Sequence, residues 1–339
     1  MKTFTPLAAF ISLIMIFSST AAMASGPVRI AADTQFSFGQ DVAIQGDYAI
    51  VGTSEDTAFI FKRIGTSWVE QTKLISPEGI DIDLSHPLSG NQFGRYVDIH
   101  GDYAVTKDSF GNLFIFKRQY DEWLLQAELK TLIGLGTVIH NKYVFNYNSN
   151  KAFVFKRDGE TWAKHQVIEP IYQVEYFTEE GQLFAVDGDY AVFGVGREKL
   201  DDTTYETVAY IFKRNGDTWE KQDRLVIAKG RNPIGASAIS ISGDTIAMTG
   251  TENKSEFNYH VLRIYQRQGD SWKLHSRITA PDESVSSGFG PNVSISGDHL
   301  VISAVAYSEE AWSSYDEKAA YFYKKEGDSW VYQWKLFSP

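Results

Sequence analysis

The chain offers 43 carboxylates, seven histidines and no cysteine to do chemistry with. The missing thiol excludes disulfides, thiolate metal sites, cysteine nucleophiles and a lipid-anchored cysteine. His86, His165, His260, His275 and His299 have no metal-ligand spacing, and no HExxH, GxSxG or phosphate-loop motif occurs. His100 and His140 occupy equivalent places just before Gly101-Asp102 and Asn141-Lys142. Related stretches carry Gln45, Asp187, Ser242 and Ser296 there. A place that takes His, Gln, Asp or Ser is a polar turn position. The residues therefore predict no catalytic residue, no metal and no cofactor.

What remains is a concentration of aromatics among acids in three stretches. Tyr205, Phe257, Tyr259, Tyr307, Trp312 and Tyr315 lie beside Asp201, Asp202, Glu252, Glu256, Glu309, Glu310, Asp316 and Glu317. Rings of this kind stack on the apolar faces of sugars while carboxylates accept the sugar hydroxyls. The same set suits a basic peptide or another cation. It would also suit solvated or inward-packed loops.

The elements that position these residues are set by an internal repeat. FKR recurs at Phe61, Phe116, Phe155 and Phe212, with YQR at Tyr265 and YKK at Tyr323. Seven residues after each marker stands a tryptophan: Trp68, Trp123, Trp162, Trp219, Trp272 and Trp330. Upstream lies Gly-Asp at Gly46, Gly101, Gly188, Gly243 and Gly297, with Asn141-Lys142 in the third unit. Gly or Asn at a two-residue loop between alternating apolar stretches is hairpin chemistry. Each unit thus reads as strands A to D, in the first about 41–45, 48–53, 58–63 and 68–75. The spacing of the markers suits four short strands plus loops, and no helical periodicity persists after residue 25.

Four-stranded sheets with two apolar faces must stack on one another. The prediction is an all-β fold, a β-propeller of four-stranded antiparallel blades, six favoured over seven. The units fall at about 37–90, 91–132, 133–179, 180–233, 234–285 and 286–339. The stretch Val28-Arg29-Ile30-Ala31-Ala32-Asp33 resembles strand-D ends, and either completes a closing blade or remains from a seventh. The six repeat tryptophans read as anchors between blades. The paired bases Lys62-Arg63, Lys117-Arg118, Lys156-Arg157, Lys213-Arg214 and Lys324-Lys325 read as edge protection and solvation of strand C, since they end that strand in five of the six units. Gly-x-Ser/Thr-Trp after strand C is similar to the Asp-box turn of sialidase propellers, but the box's aspartate is missing.

The separation from the Gly-Asp position to the marker is 14, 14 and 13 residues in units one to three, then 23, 21 and 25 in units four to six. Three neighbouring blades therefore carry long B-C loops at one end. They hold the aromatic and acidic residues named above, and loops on a rigid scaffold are where specificity resides.

Residues 1–24 combine Lys2, an apolar run from Leu7 to Phe17 and Ala22-Met23-Ala24, the pattern of a signal peptide cleaved before Ser25. Cleavage leaves a single domain at 25–339, secreted or periplasmic, with no transmembrane segment. It also removes one positive charge from a formal net charge of −11, which makes nucleic acid a poor partner.

Phe38-Gly39, Phe93-Gly94 and Phe289-Gly290 stand eight to nine residues before the turn aspartate, and Val51-Gly52-Thr53 and Thr249-Gly250-Thr251 follow the turn. With these elements the chain resembles the FG-GAP repeats of the integrin α-type propeller and their shorter bacterial relatives. The resemblance implies a β-propeller. Calcium does not carry over, because the A-B turn has one carboxylate where that ion needs six to eight oxygens. The expected role is a non-catalytic binding or adhesion module for a glycan or protein ligand. A glycan-active enzyme and a purely structural interaction repeat are the alternatives.

Overall fold

The computed structural model describes residues 38–53, 56–77, 92–131, 134–148, 151–169, 183–201, 204–230, 236–254, 257–281, 289–307 and 315–337. The expected signal peptide at 1–24, the stretch Val28–Asp33 and Trp312 lie outside them. Twenty-four strands form six four-stranded antiparallel sheets, each from four consecutive strands. The fold is a six-bladed β-propeller. Among the described residues no helix is long and apolar enough to cross a membrane.

Blade 1 comprises β1 (Phe38–Gln45), β2 (Tyr48–Thr53), β3 (Thr57–Ile64) and β4 (Ser67–Ile75). Its strands match the expected ones within a few residues. Blade 2 holds β5 (Tyr96–His100), β6 (Tyr103–Lys107), β7 (Asn112–Gln119) and β8 (Glu122–Lys130). Blade 3 holds β9 (Gly136–His140), β10 (Tyr143–Tyr147), β11 (Ala152–Asp158) and β12 (Thr161–Ile168). Blade 4 runs through β13 (Phe184–Asp187), β14 (Tyr190–Lys199), β15 (Tyr205–Asn215) and β16 (Thr218–Gly230). Blade 5 has β17 (Ala236–Ser242), β18 (Thr245–Lys254), β19 (Phe257–Gln268) and β20 (Ser271–Ile278), and blade 6 has β21 (Phe289–Ser296), β22 (His299–Tyr307), β23 (Tyr315–Glu326) and β24 (Ser329–Phe337). Every blade is complete from its own strands.

The chain divides into two compact units, one of residues 1–148 and 153–165, the other of 149–152 and 166–339. Within each, neighbouring blades share apolar cores. In the first, Ile50, Ala58, Ile60 and Leu74 of blade 1 meet Phe93, Val97, Phe114, Phe116 and Trp123 of blade 2. In the second, one core joins blades 4 and 5 around Ile211, Ile239 and Trp272, and another joins blades 5 and 6 around Leu262, Phe289 and Trp330.

Turn chemistry follows the glycines and the one asparagine. The first residue of each A-B turn has φ between +54° and +60°, Asn141 included. In blades 1, 2, 4, 5 and 6 the C-D ladder shifts register just before the marker aromatic. A bulge there adds local twist.

The FG element also has a packing reason. Gly94 adopts φ +92° and lies against Gly52 and Thr57 of blade 1. A Cβ on Gly52 would overlap the Gly94 carbonyl oxygen, and one on Gly94 would overlap that of Thr57. In the second unit Gly290 meets Thr249, whose Oγ1 donates to the Gly290 carbonyl at 2.6 Å. The glycine of FG thus seats on the end of strand B in the preceding blade.

Candidate ligand-binding site

The motif residues turn out to be joints between blades. Arg63, Arg118, Arg214 and Arg267 each pair with the aspartate of their own A-B turn, Asp47, Asp102, Asp189 and Asp244. Lys62, Lys117 and Lys213 reach forward to the C-D turn of the next blade, bonding Asp121 at 2.7 Å, Glu160 at 2.7 Å and Asp270 at 3.0 Å. The hydrogen bond to Asp121 raises the Lys62 pKa, and the one from Lys62 holds the Asp121 carboxyl below its ordinary range. For Lys62-Arg63, Lys117-Arg118 and Lys213-Arg214 the expectation of mere edge protection is corrected: these bases are ionic links within and between blades.

The tyrosine after Gly-Asp completes the joint. Tyr48 packs edge-on against Trp123 of the next blade, ring centroids 5.8 Å apart, and Tyr103 against Trp162 and Tyr190 against Trp272 do the same at 5.7 and 5.5 Å. The next blade's arginine lies over each tyrosine ring, Arg118 at 4.5 Å, Arg157 at 4.6 Å and Arg267 at 5.3 Å. Trp123 and Trp162 donate Nε1 to Gln71 and Gln126 of the preceding strand D, both at 3.0 Å. Five of the six anchor tryptophans are buried, and Trp68 in blade 1 is half-buried.

In blades 1, 4 and 5 the polar position before the A-B turn is a latch. Gln45 accepts from the Gly101 N–H, Asp187 from Gly243 at 2.7 Å and Ser242 from Gly297 at 3.0 Å, always in the next blade. His100 meets Asn141 through Nε2 at 3.2 Å and Gln45 through Nδ1 at 3.1 Å. Any side chain with an acceptor serves, which accounts for the variety at this position. His260 is half-buried, and burial lowers its pKa against the opposing hydrogen bond with the Phe289 backbone.

Sequence reasoning missed a polar cluster on the innermost strands of the first unit. Asp41 accepts from Val42 N–H and, with its other oxygen, from Val97 N–H of the next blade at 2.9 Å. Asp98 accepts from Ile99 and from Ile139 in the same manner, at 2.8 and 2.7 Å. Desolvation raises Asp41 to about 6 and Asp98 to about 7, only partly offset by these bonds, and the Asp41 charge adds to the shift of Asp98. The buried Tyr147 hydroxyl is pushed up by burial and by both carboxylates. Lys107, buried over the Tyr96 ring at 4.7 Å, donates to the Gly134 carbonyl, and burial lowers its pKa to about 8. Aspartate within an inner strand is the one signal that marks this cluster in the sequence.

Among the aromatic candidates, the expected long loops are corrected to long hairpins. Ladder pairing continues to Lys199↔Tyr205 in blade 4, Lys254↔Phe257 in blade 5 and Tyr307↔Tyr315 in blade 6. Strands β14, β15, β18, β19, β22 and β23 have 9 to 12 residues, against 5 to 8 for their counterparts in the first three blades. Extending the ladder satisfies backbone groups that a loop would leave to water. The register sets Tyr259 opposite Glu252 and Tyr307 opposite Tyr315. Tyr205 is half-buried at the start of β15, next to Glu206, which pairs with Arg224 at 2.8 Å and Lys229 at 3.5 Å. Among the described residues no group of three or more His, Asp or Glu is placed to hold a metal ion.

Residues 272–323 match the FG-GAP repeat. The match runs from the strand-D tryptophan of blade 5 to the marker aromatic of blade 6, so the FG-GAP unit is offset by one strand and spans one blade joint. A structure of Hsv2 from Kluyveromyces lactis is similar at 11% identity and TM-score 0.50, over 90% of this chain and 97% of that one. Sqt1 from Saccharomyces cerevisiae is similar at 8% identity and TM-score 0.47, over 86% and 83%. At such identities the likeness bears on fold alone, and the second carries no argument. No match was found among curated proteins.

Proposed function

We propose that this protein is an exported, non-catalytic binding module that takes a glycan or a protein ligand at the extended hairpins of blades 4 to 6. The observation that carries this reading is the register of those hairpins. Tyr259 stands across the ladder from Glu252, and Tyr307 across from Tyr315, on strands that run past the shared four-stranded body. That register brings an aromatic and an acidic position, and two aromatic positions, opposite one another along the extended ladders. In the sequence Trp312 falls between the last two of these strands, outside the described residues.

The enzymatic alternative needs two carboxylates about 5 to 10 Å apart that face a substrate. Asp41 and Asp98, the interacting acids of the first unit, each hold two main-chain N–H groups between blades. That use supports a structural role for them and favours the binding reading.

A glycan array probed with the mature protein, alongside the Tyr259→Ala and Trp312→Ala variants, tests the proposal. Binding should fall at least tenfold in each variant with the thermal midpoint unchanged. Full binding by both variants would remove the hairpins from consideration. Export is tested by N-terminal sequencing of protein recovered outside the cytoplasm, which should begin at Ser25.

A further inference from the structure

The turn end of the blades carries two departures from its own repeat, and they are neighbours. The residue three before each anchor tryptophan is Gly65, Gly159, Gly216, Gly269 or Gly327, all with φ between +57° and +63°, but in blade 2 it is Tyr120. Tyr120 keeps φ +59° and is 96% exposed. An aromatic residue is strained there, and its ring gains no burial in return. One position earlier the blades carry Gln119, Asp158, Asn215, Gln268 and Glu326, but blade 1 has Ile64, 61% exposed. The two turns are tied together by Lys62 Nζ to Asp121 Oδ1 at 2.7 Å and by Gln71 Nε2 to the Asp121 carbonyl at 2.9 Å. Folding alone explains neither an exposed isoleucine nor a strained, exposed tyrosine.

The charges around the pair are layered. In the four ion pairs of blades 1 and 2, the lysine and arginine side chains are 23–36% exposed and their carboxylate partners 57–76%. The cations sit behind and the carboxylates in front, with Asp121 and exposed Glu122 immediately after Tyr120. An approaching surface therefore meets acids around two apolar tips.

We infer that Ile64 and Tyr120 form a second contact site, for a protein segment that presents basic side chains around an apolar one. Its leucine-like group lies between the two tips, and its cations meet the outer carboxylates and the Tyr120 ring. The site is built from C-D turns of blades 1 and 2 and stands independently of the role of the hairpins.

Fluorescence anisotropy with a labelled Lys-Leu-Lys-Leu-Lys peptide, with Glu-Leu-Glu-Leu-Glu as its acidic counterpart, provides the test. The wild-type protein should bind the basic peptide, more weakly as salt rises, and leave the acidic one free. Tyr120→Gly should weaken binding at least tenfold while raising the thermal midpoint, because strain is relieved. Ile64→Asn should weaken it at least threefold, whereas Phe110→Ala, an exposed ring at the B-C turn of blade 2, should not change it. The inference is overturned if the wild type ignores the basic peptide, if Tyr120→Gly binds as well as wild type, or if Tyr120→Gly lowers the midpoint. A concentration-dependent dimer in sedimentation that Tyr120→Gly abolishes would make the occupant a second copy of this chain and likewise overturn it.

Discussion

The two ends of the blades differ in what varies. At the turn end, the two-residue A-B turn recurs in every blade and the anchor tryptophan always stands seven residues after the strand-C marker, and side chains of these motifs build joints from one blade to the next. At the B-C end the strands of blades 4 to 6 run several residues longer than those of blades 1 to 3. Each joint must match the blade after it, so change at one position is felt by its partner. Constancy at one end and variation at the other separate the joints of assembly from the hairpins proposed above to carry recognition.

The largest effect should come from breaking a joint. Trp123→Ala empties the space between blades 1 and 2 against Tyr48 and leaves Gln71 without its donor. Loss of a buried tryptophan costs about 3–5 kcal/mol, measurable by urea unfolding. An alanine at Tyr259 should shift stability by less than about 0.5 kcal/mol. Equal losses at the two positions would erase the distinction between the ends.

The next effect concerns pH and the inner strands. Asp41 and Asp98 are raised to about 6 and about 7 from a model-peptide value of 3.8. Between pH 4 and 7 the folded chain holds protons that the unfolded chain has released, so stability falls as pH rises through that window and levels off above it. The thermal midpoint should be higher at pH 5 than at pH 7.5. In blade 5 the equivalent of Asp98 is Ser240, whose Oγ accepts from Ile295 N–H at 3.1 Å. Asp98→Ser should therefore keep the bond between strands and flatten the pH dependence. A midpoint that rises with pH over this range in the wild type would refute the assignment.

The smallest effect belongs to the exposed links. Lys62→Ala removes a bridge to a largely exposed Asp121, and such pairs are weak and screened by salt. Its effect should lie near the error of an unfolding measurement and vanish at high salt. A large loss would move these links from trimming the joints to carrying them.

Much of this was legible in the chain because it repeats. Six markers, six offset tryptophans and glycine or asparagine at each A-B loop specify strands, turns and six repeat units without reference to distant contacts, since turn conformation is local. Tyr120 could be seen as an exception by the same alignment, but its exposure and its positive φ could not. The hairpins were mistaken for loops because their polar and charged residues hide strand alternation. Pairing with the facing strand, rather than composition, decides whether such a stretch extends a ladder.

The amino-acid sequence by itself determined the period, the turns and the all-β character, all of which rest on neighbours within a few residues. Only the tertiary structure decided what the motif side chains are for. Lys62 and Asp121 lie 59 residues apart and Tyr48 and Trp123 lie 75 apart, and the folded blades bring each pair together. The two acids of the inner strands depend on the same fact. Desolvation raises their pKa values, and desolvation exists only once the neighbouring blade is in place.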